Sequence, residues 1–260
     1  MHAGSMKDKV VVIGDGAGNL GGLISRVFAA DGAKAIVVHY DNDTARDAAE
    51  ETIAAARASG AEVLAFHGDL TKVDEIERLF DETTRTFGRV DVAVNATGMA
   101  IRKPFIEVSE DDYDSAFAAN SKAAFFFMRE AGKRLSDGGR LCTIVTSSSD
   151  TCRDDCSVYE GSKAPVEHFT RALARELGER GISVTAVAPG PMPGPMDVSS
   201  IGDQAGSGAE KDDRTAVVLG KFTRTGLTEP RDVVSLVQYL VTEGRWITGQ
   251  TIRVNGGHTI

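Results

Sequence analysis

Tyr159 and Lys163 stand four residues apart in the segment SVYEGSK, residues 157–163. At that spacing a helix places both side chains on one face. A free phenol has a pKa of about 10, and a neighbouring ammonium group favours the phenolate and lowers that pKa. Such a phenol can protonate a carbonyl oxygen that becomes negative as its carbon accepts a hydride. The pair could instead be an exposed tyrosine and lysine on a surface helix, and the spacing alone does not decide.

Hydroxyl side chains precede this pair in the segment TSSSD, residues 146–150. A carbonyl that is reduced needs a second hydrogen-bond donor to position it, and a serine hydroxyl can provide one. The segment follows a predicted strand. In an open parallel sheet, ligands gather beyond the carboxyl ends of the strands, so we expect it to approach Tyr159 and Lys163 in one crevice.

A glycine-rich turn, GDGAGNLGG, follows the first predicted strand at residues 14–22. Gly16, Gly18 and Gly21 have the G-x-G-x-x-G spacing. Between a strand and a helix, this spacing lets backbone N–H groups and the helix N-terminus contact a pyrophosphate. Glycine-rich turns also occur without ligands, so the turn alone is weak evidence for a nucleotide.

The ends of the following strands carry further candidates for contact with a dinucleotide. The second strand ends at His39 and Tyr40, and the third runs into Asp69 and Leu70. These are the positions at which such a sheet meets the ribose and the adenine. Asp69 could equally be a loop or capping residue before Thr71. After the fourth strand comes NATG, where small residues would let the chain turn close to a cofactor; its residues are Asn95, Ala96, Thr97 and Gly98.

Strands and helices alternate along the chain. Six apolar runs of strand length occur at residues 10–13, 35–38, 63–66, 90–94, 141–145 and 183–187. Helical periodicity predicts helices at residues 20–31, 43–59, 73–87, 110–135, 158–180 and 230–242. This alternation predicts an α/β fold with a doubly wound parallel sheet of the Rossmann type, a single domain with helices on both faces.

The composition narrows the classes of function. The 260 residues include 29 Lys and Arg against 38 Asp and Glu, a formal net charge of -9, and the basic residues form no tract. We therefore expect no nucleic-acid partner. The apolar runs are too short to span a membrane, so we expect no membrane association and a cytoplasmic location.

Three cysteines give no disulfide framework. Cys152 and Cys156, with two aspartates between them, could hold a metal, but an ordinary loop is the interpretation we prefer, and we predict no metal site.

Two segments lie outside the regular pattern. Residues 1–6, MHAGSM, resemble a tag remnant or a frayed start, so we expect the single catalytic domain to extend over residues 7–260. Residues 190–214 are rich in Pro, Gly and charge and have no period. A loop of this length in a compact domain is usually functional or disordered, and we interpret it as a substrate lid.

The ordered set of motifs resembles the short-chain dehydrogenase/reductase family in its single-domain form. It comprises GDGAGNLGG, NATG, Asn120, TSSS, YEGSK, APG at 188–190 and ITGQTIRVNGG at 247–257. The chain is similar to 3-oxoacyl-carrier-protein reductases and to ketoreductases of secondary metabolism. The resemblance implies an NAD(P)-dependent oxidoreductase that transfers hydride between the cofactor and a ketone or secondary alcohol. It also implies a homotetramer, or a homodimer, built from helices near 110–136 and 158–180.

The same resemblance assigns roles to residues. Tyr159 would be the general acid/base, Lys163 would bind the nicotinamide ribose, and Asn120 would support a proton relay through water, although its side chain could also bond to backbone at a local kink. The family's usual offset before the tyrosine falls on Thr146, with Ser147 and Ser148 following; we predict Ser147. The predicted cofactor contacts are Gly14, Asp15, Gly16, Asn19, Leu20, Gly21, His39, Tyr40, Asp69, Leu70, Asn95, Ala96, Thr97, Gly98, Tyr159, Lys163, Pro189 and Gly190.

The glycine turn departs from the family pattern. Gly14 stands at the usual threonine, Asp15 at the first glycine and Asn19 at the second, so only Gly21 fits outright. A carboxylate at Asp15 could accept a ribose hydroxyl but would repel an adjacent phosphate. His39 replaces the acid typical of NAD sites, and an imidazole tolerates a 2′-phosphate better. We therefore favour NADP(H) over NAD(H).

The sequence leaves the substrate open. A ketone or alcohol, free or as a carrier-bound acyl chain, is the expected small-molecule partner, and the charged segment CRDDC, residues 152–156, allows a polar or cationic substrate. Two other functions remain: a catalytically silent nucleotide sensor or scaffold, and a dehydratase or epimerase that uses the same cofactor.

Overall fold

A computed structural model describes residues 5–147, 154–192 and 227–257 together with Thr259. Its strands are β1 (Val10–Gly14), β2 (Ala35–Tyr40), β3 (Glu62–His67), β4 (Val90–Asn95), β5 (Leu135–Ile144), β6 (Ser183–Pro189) and β7 (Gln250–Val254). The helices are α1 (Asn19–Ala30), α2 (Arg46–Ala58), α3 (Val73–Phe87), α4 (Glu110–Phe117), α5 (Ala123–Arg134), α6 (Ser157–Lys163), α7 (Pro165–Glu176) and α8 (Pro230–Thr242). These elements confirm the predicted alternation.

The seven strands form one parallel sheet in the order β3-β2-β1-β4-β5-β6-β7. The chain winds outward in one direction from β1 to β3 and returns to the other side of β1 with β4. Strand order therefore reverses between β1 and β4, where the register pairs Gly14 with Asn95. In open α/β sheets the ligand crevice lies at such a reversal, outside the carboxyl ends of the strands. The predicted doubly wound sheet of the Rossmann type is confirmed.

Helices cover both faces of the sheet because successive strand residues point to opposite sides. One core contains Val11 and Ile13 of β1 with residues of α1, α2 and α8. The other contains Val12 with residues of α3, α5 and α7. With apolar side chains on both faces, the central strands are almost wholly apolar, which is the pattern of a buried parallel sheet.

The structure differs from the sequence-based boundaries, and three of the differences change the number of elements. The edge strand β7 was not predicted, although its residues belong to the quoted segment 247–257. A single helix predicted over 110–135 is divided by a π-helical turn at Ala118–Lys122. The helix predicted over 158–180 is also divided, because α7 begins at Pro165, a residue that suits the first position of a new helix.

The ordered fold begins before Lys7, which differs from the expectation for residues 1–6. Met6 is completely buried in the core beside α1. Its backbone N–H donates to the carboxylate of Asp31 over 3.1 Å, and the Ser5 hydroxyl donates to the Asp31 carbonyl over 3.1 Å. Residues 5 and 6 therefore belong to the domain rather than to a frayed start.

Most of the predicted lid lies outside the described residues, which include only Gly190, Pro191 and Met192 of that segment. Within the described ranges, none of the helices combines the length and the apolar character needed to cross a membrane.

Candidate active site

A cavity of about 370 Å³ opens at the carboxyl ends of the strands, where the strand order reverses. The predicted residues that line it are Asp15, Asn19, Leu20, Gly21, Ala96, Thr97, Gly98, Tyr159, Lys163, Pro189 and Gly190. The glycine turn, the NATG turn and the Tyr159–Lys163 helix thus converge on one crevice. Gly14 and Gly16, which belong to the same turn, are buried and do not line the cavity.

Tyr159 and Lys163 lie on the same face of α6, and both line the cavity. Lys163 is buried, and its Nζ donates to the carbonyl of Thr97 over 2.9 Å and to that of Ile144 over 3.3 Å. Thr97 follows strand β4, and Ile144 is the last residue of the neighbouring strand β5. An ammonium has three donors, so two hold Lys163 between the strand ends while the third remains for a ligand. This geometry excludes the alternative of an exposed surface pair.

The pKa of Tyr159 differs from our expectation. Burial raises the pKa of the phenol above its ordinary value, and the hydrogen bond with Thr146 and the positive charge of Arg102 oppose that rise. Lys163 was expected to lower this pKa, but its ammonium is directed to the strand-end carbonyls. Burial also lowers the pKa of Lys163 to about 8, against the opposing charge of Asp15. At neutral pH Tyr159 therefore carries its proton and is suited to act as an acid.

Thr146, not Ser147, presents its hydroxyl to the site. The side chains of Thr146 and Tyr159 are hydrogen bonded, and Thr146 lines the cavity. Ser147 is fully buried, and its Oγ has no hydrogen-bond partner among the described residues. Our prediction of Ser147 as the substrate-orienting residue is therefore not supported, whereas the residue thirteen positions before Tyr159 is at the site. Ser148 lies outside the described residues.

Asn120 holds the wall of the site rather than lining it. It is buried in the π-helical turn between α4 and α5. Its Oδ1 accepts from the backbone N–H of Met99 over 2.9 Å, and its Nδ2 donates to the Met99 carbonyl over 2.8 Å and to Ser162 Oγ over 2.9 Å. Both amide hydrogens are thus used. The structure therefore shows the alternative role of Asn120, a side chain bonded to backbone beside a local kink. The proton relay stays a prediction.

The NATG turn brings the chain close to Lys163. The Oδ1 of Asn95 accepts from the N–H of Thr97 over 3.2 Å and from its hydroxyl over 2.7 Å, which fixes the turn. A Cβ atom at Gly98 would lie 2.6 Å from Lys163 Nζ and 3.0 Å from Asn120 Oδ1. Gly98 is therefore required for the close approach of these two side chains.

Asp15 and Asn19 occupy left-handed backbone conformations, with φ of 56° and 45°. At both positions the family pattern has glycine. Asp and Asn tolerate this conformation better than other residues with a Cβ, which explains why they can replace glycine here. At Gly21 a Cβ atom would lie 1.9 Å from the Asp15 carbonyl oxygen, so the first turn of helix α1 can pack against the glycine-rich turn only with glycine at this position.

The Asp15 carboxyl is poorly solvated. Burial, with a further contribution from the charge of Asp41, raises its pKa to about 7, and Lys163 opposes the rise. Near neutral pH a substantial fraction of Asp15 is therefore uncharged. This weakens the repulsion that a carboxylate in the turn would exert on a phosphate.

His39 lies behind the glycine turn instead of facing the cavity. It is only 2% exposed. Its Nδ1 accepts the backbone N–H of Asp15 over 2.9 Å, and its Nε2 lies 2.8 Å from the carbonyl of Gly68. This pairing requires a neutral ring with the proton on Nε2, and burial lowers its pKa accordingly. The predicted contact of His39 with the cofactor is replaced by a structural link between the turn and the end of β3.

The other residues at the ends of β2 and β3 lie away from the cavity. Tyr40 stacks on His67 with ring centroids 5.0 Å apart, and Leu70 is buried. The carboxylate of Asp69 accepts from the Thr71 N–H over 3.0 Å and from its hydroxyl over 2.6 Å. Asp69 thus has the local turn-capping geometry that we considered as its alternative role.

Several lining residues were missed by the sequence analysis. They are Leu23, Arg26, Ala100, Arg102, Ile144, Val145, Cys156, Pro191, Met192 and Pro230. Two signals could have found some of them. Leu23 and Arg26 share the face of α1 that begins at Asn19, and Arg102 follows Gly98 by four residues in the segment that leaves β4.

Of the three cysteines, Cys142 is buried in the core, and burial raises its pKa to about 12, so it is an unreactive thiol. Cys156 is buried at the start of α6. Cys152 lies outside the described residues. Within the described ranges, no group of three or more metal-ligating side chains is present.

Comparison with known proteins identifies relatives over almost the whole chain. A family model described as enoyl-(acyl carrier protein) reductase matches residues 16–259. The short chain dehydrogenase/reductase nsrJ of Aspergillus novofumigatus is 33% identical, over 98% of this chain and 97% of its own length. The hydroxynaphthalene reductase-like protein Arp2 of Metarhizium brunneum is 32% identical, over 97% and 96%.

A solved structure supports the same relationship. The crystal structure of a dehydrogenase from Burkholderia cenocepacia with bound NADP is 49% identical, covers 100% of this chain and 97% of its own, and superposes with a TM-score of 0.90. The motifs, the sheet and these relatives agree, and the chain belongs to the short-chain dehydrogenase/reductase family of oxidoreductases.

Proposed function

We propose that the protein reduces a small-molecule ketone to a secondary alcohol with NADPH. The observation that carries the proposal is the hydrogen bond between Thr146 and Tyr159 in the wall of the cavity that also contains Lys163 and the glycine turn. A phenol, a second hydroxyl and a buried ammonium thus lie at one strand-end crevice, and these are the groups that the proposed reduction requires.

The residues of the crevice fit a dinucleotide. Helix α1 has no side-chain cap at its N-terminus, so its first N–H groups are available to a phosphate. Beside Gly18, a Cβ atom would have no neighbour closer than 3.9 Å, which leaves room at this helix end. The discordant residue is Asp15, whose pKa of about 7 reduces but does not abolish its negative charge at neutral pH.

Three side chains would each have a separate role in the reduction. NADPH, when bound, supplies the hydride that the carbonyl carbon accepts. Tyr159 gives its phenolic proton to the carbonyl oxygen as negative charge develops there, and its raised pKa keeps that proton in place before reaction. The Thr146 hydroxyl donates to the same oxygen and orients the ketone. Lys163 Nζ, held by the Thr97 and Ile144 carbonyls, offers its third donor to a ribose hydroxyl.

The preference for NADPH over NADH rests on two supports. The Burkholderia cenocepacia dehydrogenase was determined with NADP, and it is 49% identical to this chain. In this chain the residue at the acid position of β2 is the buried, neutral His39, which places no negative charge at a 2′-phosphate. Asp41, exposed just beyond β2, is the residue that would disfavour NADPH.

The relatives and the cavity both support a proposal for the substrate class. Names of the relatives include a hydroxynaphthalene reductase-like protein, which favours a ring ketone over a carrier-bound acyl chain. The apolar residues Ile144, Val145 and Met192 in the cavity wall suit such a ring.

A direct test is hydride exchange with NADPH and NADH over a panel of ring ketones, 3-oxoacyl thioesters and 2-enoyl thioesters. We expect ring ketones to be reduced with NADPH, and Tyr159→Phe to lose activity while it still binds the cofactor. Reduction of only the enoyl thioester, or full activity in Tyr159→Phe, would overturn the proposal.

We further propose a homotetramer or homodimer formed through α4, α5 and α7. Tyr113 and Phe125, on α4 and α5, are 50% and 44% exposed, and Phe125 packs edge-on against Phe169 of α7 at 5.1 Å between ring centroids. Exposed aromatic side chains at adjoining helices are typical of interfaces. Light scattering on the wild type and on Phe125→Glu tests this: the variant should shift to a smaller species.

A further inference from the structure

Arg26 is a cation of the cavity wall that the proposed reaction does not use. It lies in the middle of α1 and lines the cavity together with Asn19 and Gly21. Its Nη1 donates to Thr52 Oγ1 over 2.9 Å, and among the described residues its other N–H groups have no acceptor. A guanidinium has five N–H donors, so four remain for a ligand.

Two hydrogen bonds place the Arg26 guanidinium beside the glycine turn. Thr52 is fully buried in α2, and its hydroxyl donates to the Ala17 carbonyl over 2.7 Å. A Cβ atom at Gly22 would lie 2.4 Å from the Ala17 carbonyl oxygen and 3.2 Å from Thr52 Oγ1. The turn, α1 and α2 are therefore in close contact here, and a single hydroxyl separates the guanidinium from the backbone of the turn.

This contact lies on the side of the turn that is nearer to β2. Thr52 belongs to α2, the helix that follows β2, and β2 adjoins β1 on the side away from β4. A Cβ atom at Gly18 would lie 3.9 Å from the Cβ of Ala48, which is one turn before Thr52 in α2. In a sheet of this type the adenosine ribose lies between the glycine turn and the end of β2. Arg26 and the open space at Gly18 therefore adjoin the adenosine half of the crevice.

A phosphate in that half would need a cation, because acids also lie near it. Asp15 is in the turn and Asp41 is just beyond β2, and their charges act on each other. Among the described lining residues, Lys163 is held at the ends of β4 and β5, and Arg102 lies in the segment that leaves β4. Arg26 is therefore the lining cation on the β2 side.

From this placement we infer that Arg26 binds the 2′-phosphate of NADP(H) and so selects it over NAD(H). A planar guanidinium can donate two parallel hydrogen bonds to a phosphate, which orients as well as attracts it. Because Nη1 is already held through Thr52, the guanidinium loses little freedom on binding. The inference rests on the proposed use of NADPH, and it assigns the preference to a residue of α1.

Two matched pairs of ligands that differ only by the 2′-phosphate test the inference. They are NADP⁺ with NAD⁺, and adenosine 2′,5′-bisphosphate with adenosine 5′-monophosphate. Calorimetry on the full-length protein measures their binding without turnover. We expect the wild type to bind the 2′-phosphorylated member of each pair more tightly.

Arg26→Met should remove most of that difference. Hydrogen bonds to a charged group correspond to a change of roughly 10- to 100-fold in binding, so the 2′-phosphorylated ligands should weaken by about that factor. NAD⁺ and adenosine 5′-monophosphate should bind almost as in the wild type. Arg26→Lys keeps the charge without the planar fork, and it should retain part of the preference.

Arg57→Met is the matched control, since it removes an exposed arginine from the last turn of α2, outside the cavity wall. It should leave both members of each pair unchanged. Equal weakening of both members in Arg26→Met would assign the guanidinium to a phosphate that they share, and this would overturn the inference. A wild type that binds neither 2′-phosphorylated ligand more tightly would also overturn it.

Phosphorus NMR on bound NADP⁺ separates this inference from the proposed reaction, because it resolves the 2′-phosphate from the pyrophosphate and needs no ketone. A nearby cation favours the dianion, so the pKa of the bound 2′-phosphate should be lower in the wild type than in Arg26→Met. If this difference is found but no ketone is reduced, the reaction is wrong and the Arg26 site stands. If ketones are reduced with NADPH but the 2′-phosphate titrates equally in both proteins, the reaction stands and the Arg26 site is wrong.

Discussion

At the residue scale, the neighbouring hydroxyls of Thr146 and Ser147 have opposite surroundings because the chain stays extended beyond β5. The N–H groups of Val145 and Ser147 both donate to β6 carbonyls, over 2.8 and 3.0 Å. Extended residues alternate sides, so Ser147 follows Val145 into one core while Thr146 points with Ile144 to the other side. The sequence predicts the strand but not which side of it meets the cavity.

Thr146→Val should reduce kcat/KM by about 100-fold, because removal of one donor to a developing oxyanion costs roughly that factor or more. Thr146→Ser keeps the hydroxyl and should retain most of the activity. Ser147→Ala is the matched control, with an expected effect below about threefold. Steady-state kinetics on the best ketone would measure all three. A large loss in Ser147→Ala with an active Thr146→Val would return the role to Ser147.

The raised pKa of Asp15 should make the stability of the folded protein depend on pH. Folding raises its pKa from 3.8 to about 7, so between these values the folded protein holds a proton that the unfolded chain has lost. Stability therefore falls as pH rises through this window. Asp15→Asn, which also tolerates a positive φ, should raise the free energy of unfolding by on the order of 4 kcal/mol at pH 8 and much less at pH 4.

Urea unfolding of Asp15→Asn and wild type from pH 4 to pH 8 would measure this difference. Asp41→Asn is the control: it removes an exposed charge that raises the Asp15 pKa, so it should give a smaller gain at pH 8. Parallel stability profiles of Asp15→Asn and wild type over the whole range would contradict a buried, protonated Asp15.

At the element scale, the π-helical turn explains why one predicted helix became two. The apolar pattern over 110–135 is helical throughout and gives no sign of an interruption. The extra residue in the turn directs Asn120 inward, where its amide pairs with the backbone of Met99. The π-helical turn thus forms a tertiary contact between α4–α5 and the segment that follows NATG. Local periodicity in the sequence carries no information about such a contact.

Asn120→Ala should destabilise the protein by about 3 kcal/mol, because the Met99 N–H and carbonyl lose their buried partner. Ser109→Ala, which removes the capping box of α4, is the comparison and should cost about 1 kcal/mol. Denaturant unfolding would measure both. Hydrogen exchange at the Met99 amide should accelerate in Asn120→Ala only; unchanged protection there would contradict the positioning role.

The residues at the strand ends show that a motif can predict which residues lie near the site but not where their side chains point. The sequence predicted the strands that deliver Thr97, Gly98, Tyr159 and Lys163, and the structure brings those residues together. It did not reveal that His39 would turn inward, since this depends on the Asp15 N–H and the Gly68 carbonyl, which come from two other loops. Side-chain direction after a strand is set by tertiary partners.

At the scale of the whole molecule, alternating strands and helices with right-handed crossovers give a doubly wound sheet, and the crevice lies where its strand order reverses. The sequence therefore predicted the architecture, while it missed β7 and the ordered start. Met6 looked like part of a tag because apolar residues near a terminus carry no periodic signal. In the structure it fills the core beside Ile24 and Phe28 of α1.

Met6→Ala should lower the free energy of unfolding by about 2–5 kcal/mol, the range for truncating a buried methionine. Met99 is the same residue type at 41% exposure, and Met99→Ala should cost less than about 1 kcal/mol. Thermal and urea unfolding would compare them. Equal, small effects of both substitutions would show that Met6 does not belong to the folded domain.

The most direct test of the account is an experimental structure of the protein with NADP⁺. We predict that the nicotinamide lies in the cavity between Gly98 and Tyr159, with a ribose hydroxyl about 3 Å from Lys163 Nζ and the Thr146 hydroxyl turned to the open side of the ring. A dinucleotide bound elsewhere, or a Tyr159 hydroxyl directed away from the nicotinamide, would contradict the proposed reduction.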